Sequence, residues 1–289
     1  MKSRKEYNAL WRIVAYIIMV GFTLLTVLPL IWLFYSSFKP HADIVRNIFA
    51  LPKSFNVSNY INAWKGGNFG AKSWTEGYFA IYTLNSIFFS AAATVITTVL
   101  ALTTGYGIAK FGYKISAPIY GSFLMGLLLT VHSILVPLFV MEKSIGIYDT
   151  RLGVLLPYIA FGLPFLVFLA TSFIKGLPTE IEESAIIDGA NYLQVFWYVI
   201  LPICRPVVAT MMIFRFLGAW NEFALVLVLT SKTAIRTLPV GINAFAGGMT
   251  RDYGTQFAAL VIGTLPMIIF YIFFNRRIQQ GFASGGLKE

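Results

Sequence analysis

Four carboxylates, Glu180, Glu182, Glu183 and Asp188, stand close together in a chain that has only 12 acidic residues among 289. Crowded into the first turn of a helix, where the dipole favours negative charge, they suit an electrostatic contact with a partner. Two more ionisable residues, Arg215 and Glu222, lie in an apolar run where an isolated helix would place them in lipid at a cost of several kcal/mol each, so each must face protein or water. Seven residues separate them, about 10 Å along a helix, too far for a direct ion pair, so each needs its own partner. Arg215 is expected to lock its helix to a neighbour. Trp220, Asn221 and Glu222 together offer an indole, an amide and a carboxylate, a set suited to polyhydroxylated ligands, and are the candidate substrate pathway.

Other chemistries find little support. His41 and His132 lie far apart with no second metal ligand, so no metal site is expected. A single cysteine, Cys204, excludes an intrachain disulfide and a Cys-based zinc site. No nucleophile elbow occurs and no paired acids accompany the histidines, so an intramembrane enzyme is a minor alternative. A Gly-x-x-x-x-Gly-Lys-Ser/Thr loop is absent, so ATP is not bound here by that route. A secondary transporter remains the other alternative, with only Arg215 and Glu222 as coupling sites.

The elements that position the carboxylates are legible in the stretch 178–202. Thr179 with Glu182 has the spacing of a capping box, which predicts a helix start, and Gly189 is expected to end the helix after about three turns. Asn191 with Gln194 repeats the capping pattern, and Pro202 limits the far end. Ile181, Ala185, Ile186, Leu193, Phe196 and Trp197 give the two short helices an apolar side opposite the charged one. Such a knob fits a groove on a soluble partner or lies on lipid. Between Thr179 and Leu201 there is no Lys or Arg to meet anionic lipid, which favours the protein partner.

The surroundings are those of a membrane. With 57% hydrophobic and 12% charged residues the chain is too apolar for a soluble domain. Six runs are long enough to cross about 30 Å of hydrocarbon, which takes roughly 20 helical residues. They cover about 13–34, 80–109, 119–141, 152–174, 206–230 and 257–274. Because they are continuous rather than alternating, the expected fold is an all-α integral membrane protein, one transmembrane domain over 1–289, and not a barrel.

The net charge of +10 reads as the positive-inside rule rather than as affinity for nucleic acid. Lys2, Arg4, Lys5 and Arg12 precede the first run and Arg276 and Arg277 follow the last, which puts both termini in the cytoplasm. Whole-loop counts tie, so the charges flanking the spans carry the orientation. The first run is too long for a signal-peptide core and is a retained span. The second is rich in small residues that let helices approach closely. Pro137, Pro157 and Pro164 are expected to kink the third and fourth. The stretch 231–256 reads as a Gly-containing outer loop, and the polar tail 275–289 as disordered on its own.

Glu183-Ser184-Ala185, Gly189, Val199 and Leu201-Pro202 closely resemble the EAA loop of ABC-importer permeases. That pattern runs Glu-Ala-Ala, three residues, Gly, nine residues, Ile, one residue, Leu-Pro. This chain departs at Ser184 and Val199, both small changes in volume. The resemblance implies that Glu182, Glu183, Ser184, Ala185, Asp188, Gly189, Leu201 and Pro202 form a cytoplasmic coupling loop docking into the ATPase. Ser36-Ser37-Phe38-Lys39, Trp220-Asn221-Glu222-Phe223, Leu238-Pro239 with Gly241, Arg276-Arg277 and the Gly-Gly-Leu-Lys tail are similar to the carbohydrate-uptake branch, as in the smaller permease of maltose importers. It further implies that 231–256, with Gly241, Ala246, Gly247 and Gly248, contacts the binding protein, and that 281–289 contacts the ATPases. The implied partners are a second homologous permease, two ATPase subunits that bind ATP and Mg, and an extracytoplasmic sugar-binding protein, with no cofactor in this chain.

Overall fold

The computed structural model describes residues 2–65, 79–245 and 252–286, the side chains of 2–10, 244 and 275–286 excepted. Among the described residues the regular elements are all helices, as long apolar runs require when no water is present to satisfy the backbone. Four helical segments are long and apolar enough to cross a membrane unbroken: Trp11–Ser36, Phe79–Lys110, Arg151–Lys175 and Tyr253–Phe274. Two bent pairs, Ser116–Gly126 with Val131–Ile145 and Tyr192–Ile203 with Arg205–Trp220, raise the number to six if each is one span.

The chain divides into two compact units, residues 1–76 with 242–264 and residues 77–241 with 265–289. In the first, α1 (Lys2–Ser36) is followed by two short helices, α2 (His41–Arg46) and α3 (Ser58–Lys65). The buried Lys39 holds the chain after α2, its Nζ donating to the carbonyls of Asn47 at 2.9 Å, Ile48 at 3.3 Å and Ala50 at 2.8 Å. Three acceptors compensate an ammonium taken out of water. Asn59 donates to the carbonyls of Ser37 and Lys39, and His41 Nδ1 accepts the N–H of Tyr253 at 3.2 Å. That bond gives His41 a structural task.

The second unit is built on α4 (Phe79–Lys110) packed along α7 (Arg151–Lys175) and α11 (Arg205–Trp220). The small residues of α4 form the packed face: Ser90, Ala93, Thr94, Thr97, Thr98 and Ala101 are all buried. At Gly105 a Cβ would stand 2.9 Å from that of Ala170, so the two backbones meet closely only because neither carries bulk there. Pro157 and Pro164 sit inside an unbroken α7.

Three expectations fail here. The run 119–141 is not one helix: α5 (Ser116–Gly126) and α6 (Val131–Ile145) meet at 104°. The break falls in Leu127-Leu128-Leu129-Thr130, as apolar as its flanks, so hydropathy cannot mark it; the local sign is the Thr130–Ser133 hydroxyl pair, 2.7 Å apart at the start of α6. The run 206–230 also breaks, α11 stopping at Trp220 and α12 resuming as Ala224–Leu229. The tail is helical: α14 (Tyr253–Gly286) continues past the apolar run, since residues 275–284 include several good helix formers.

Stretch 231–256 is likewise less slack than its glycines indicate. It holds a 3-10 turn at Thr233–Ile235 and α13 (Leu238–Ala244). Asn85 of α4 donates to the carbonyls of Ala234 and Arg236, and Ser86 Oγ accepts the N–H of Leu238. The side chains of a spanning helix thus organise this turn.

Candidate functional site

Beyond the end of α7 the chain forms α8 (Glu180–Ile187) and then the continuous helix Tyr192–Ile203, which contains α9 (Tyr192–Gln194), a π-helical stretch Val195–Ile200 and α10 (Leu201–Ile203). The helix ending at Ile187 spans about two turns, not three. Its stop is a Schellman closure: Gly189 has φ +90°, its N–H reaches Ile186 O at 2.9 Å, and Ala190 N–H reaches Ala185 O at 3.0 Å. The second capping box forms as expected, with Asn191 and Gln194 bonding each other's backbone N–H at 2.8 and 2.9 Å. Pro202 does not end the helix; the bend of 77° comes after it, next to Cys204, ahead of Arg205-Pro206.

The first capping box does not form. Thr179 makes no side-chain cap, because Glu182 turns inward: its Oε1 lies 2.7 Å from Lys110 Nζ, with both side chains about nine-tenths buried. A charge-assisted bond outcompetes a neutral cap for the same carboxylate. Lys110 also donates to Leu177 O at 3.1 Å, and Tyr106 Oη donates to Glu182 Oε2 at 3.4 Å. The second arm is held by rings: Phe196 lies 5.4 Å from Tyr106, and Tyr192 lies 5.2 Å from Phe111. Val195, Phe196, Ile200 and Cys204 share one apolar cluster with Ala101, Tyr106, Ala170 and Ile174.

What remains outward is acidic and apolar together. Glu180, Glu183, Ser184, Asp188 and Gly189 are exposed, and beside them Ile187 and Leu193 are 84% and 72% exposed. Ala185, Leu201 and Pro202 are half-buried at the seam. The expected division into an apolar and a charged side is therefore corrected: Phe196 faces inward with Glu182, whereas Ile186, Leu193 and Trp197 stay exposed.

At the break after α11 the two intramembrane charges find separate partners. Arg215 donates to the main-chain oxygen of Tyr158 and lies over that ring at 5.8 Å. Room for it comes from Gly162, where a Cβ would stand 2.6 Å from Arg215 Cδ. Glu222 Oε1 accepts the N–H of Leu225 at 2.9 Å, which caps α12. Trp220 is buried and stacked on Phe216 at 5.8 Å, while Asn221 is exposed. The expected triad is thus split among packing, solvent and a cap. Gly241 is buried against Tyr82, whose Cε2 a Cβ would approach to 2.8 Å, and Ala246, Gly247 and Gly248 lie outside the described residues.

Sequence reasoning missed Lys110, which reads only as a topology charge, and Asp149. The latter joins the start of α7 to the end of α12: it accepts the N–H groups of Ser231 and Lys232 at 2.9 Å each and the Ser231 hydroxyl at 2.8 Å. Burial pushes its carboxyl up, but those donors and the Lys232 charge bring it below the ordinary aspartate value.

A bundle of long apolar helices with a capped, acidic two-helix loop on its edge is the architecture of a transport permease. The chain belongs to the family described as the binding-protein-dependent transport system inner membrane component, whose pattern it matches over residues 101–284. It is 34% identical to the diacetylchitobiose uptake system permease protein NgcG of Streptomyces coelicolor, over 95% of this chain and 88% of that one. To the trehalose transport system permease protein SugB of Mycobacterium tuberculosis it is 33% identical, over 94% of each. The fold is that of a chain in the crystal structure of a bacterial ABC transporter involved in the import of the acidic polysaccharide alginate, with a TM-score of 0.75, 21% identity, and coverage of 93% of this chain and 96% of that one. The protein is an ABC-importer permease subunit, a non-catalytic, multi-pass inner-membrane component.

Proposed function

We propose that the chain translocates a sugar or oligosaccharide by alternating access, paired with a second homologous permease and driven by two ATPase subunits that bind ATP and Mg. The carbohydrate class is supported by the relatives, named for diacetylchitobiose, trehalose and multiple sugars. The observation that carries the mechanism is the loop at 178–202: its outward surface joins Glu180, Glu183 and Asp188 to the exposed Ile187 and Leu193, while its inward surface is fixed to α4. An amphipathic element with that division suits a groove on a soluble partner. ATP-driven closure of the ATPase dimer moves the loop, and the helices follow.

In this reading each bent pair is one span, both termini and the loop at 178–202 are cytoplasmic, and 231–256, including Gly241, Ala246, Gly247 and Gly248, faces an extracytoplasmic sugar-binding protein. Residues 281–289 then meet the ATPases. Asn221 and Glu222 lie on the sugar path, with Trp220 as their packed support.

Purification of the tagged chain from its native membrane tests the proposal. ATPase subunits and a second permease should accompany it, and sugar uptake in vesicles should require ATP and the binding protein. A chain that purifies alone and transports without ATP would overturn it.

A further inference from the structure

The geometry points to Lys110 and Glu182 as a positioning pair that makes α4 the helix through which the loop's movement enters the bundle. This rests on the proposed docking of the loop at 178–202. Lys110 is the last residue of α4, and its Nζ meets both Glu182 Oε1 at 2.7 Å and Leu177 O at 3.1 Å. It therefore grips the chain on both sides of the turn between α7 and α8. Tyr106, one turn earlier, reaches Glu182 with its hydroxyl and Phe196 with its ring. Both arms of the loop are thus seated on the final turns of one 32-residue helix.

That helix is the one packed most extensively in its unit, closed onto α7 at Gly105 and Ala170 and carrying α11 along its length. A loop held to α4 only by apolar contacts has freedom to slide, because such contacts are non-directional. An ion pair with both side chains about nine-tenths buried does not slide without leaving a charge unpaired. Glu183, the next residue, is exposed and free for the ATPase. Adjacent carboxylates therefore divide the work, Glu183 toward the partner and Glu182 toward the permease's own helix.

The test is a double-mutant cycle on the whole importer, reconstituted in vesicles with its ATPases and binding protein, reading sugar taken up per ATP hydrolysed. Lys110→Met and Glu182→Gln should each lower that ratio by about tenfold, and the double variant should cost no more than either alone. Lys110→Met should still copurify with the ATPases, and Lys110→Arg, which keeps both bonds, should stay near the parent. Unchanged ratios, or losses that simply multiply, would overturn the pair. If Lys110→Met fails to fold, Lys110→Arg and Glu182→Gln decide: a loss in the first equal to that in the second overturns it. Failure of the docking reading is separate, since it shows as Glu183→Lys leaving ATPase association intact.

Discussion

The two ends of α7 are fastened by the same kinds of residue in opposite environments. Beyond its C-terminus, Lys110 and Glu182 meet at 2.7 Å with side chains 8% and 11% exposed. Before its N-terminus, Lys232 and Asp149 stand 3.6 Å apart and the lysine is 67% exposed. An exposed ammonium is hydrated and screened, so at that end the fastening is done by N–H and O–H donors on the aspartate, and the lysine adds little. In the buried pair each partner is indispensable to the other. Resemblance of residue type is therefore a poor guide to rigidity; burial decides which fastening transmits displacement and which merely closes a turn.

Removing one side of each contact should expose this difference. Lys110→Met, which strands a buried carboxylate, is expected to cost about 3 kcal/mol of stability, seen as earlier thermal unfolding of the detergent-solubilised protein. Asp149→Ala removes three accepted bonds and should cost about 2 kcal/mol. Its folded-state pKa lies below the unfolded value near 3.8, so its contribution is complete above that value and fades as pH falls through the folded one. A melting series into acid should show that loss in the parent and not in Asp149→Ala. Gly189→Val meets open space but a φ of +90°, so it should cost about 1–2 kcal/mol by backbone strain and shift ATPase association more than melting. Lys232→Ala should cost less than about 1 kcal/mol. A Lys232 effect equal to that of Lys110 would erase the contrast.

The parts legible in the sequence were those set by short-range rules. Gly189 and the Asn191–Gln194 box act within a few residues, and the apolar runs declare the long helices directly. What escaped depends on residues distant in the chain. Glu182 looks like a cap until Lys110, far earlier in the chain, comes within reach, and Gly241 looks like slack until Tyr82 fills the space beside it. The bend after Gly126 escaped for another reason: leucine continues on both sides, and hydropathy carries no information about direction.

The central claim is that the exposed face of α8 meets the ATPase. Ile187, 84% exposed at the end of that helix, is the position to interrogate. In a Cys204→Ala background, Ile187→Cys carrying a short photoreactive thiol probe should crosslink to an ATPase subunit in native membranes, with a yield that changes when ATP is bound. Crosslinks to lipid or to the extracytoplasmic binding protein, with none to the ATPase, would contradict the account.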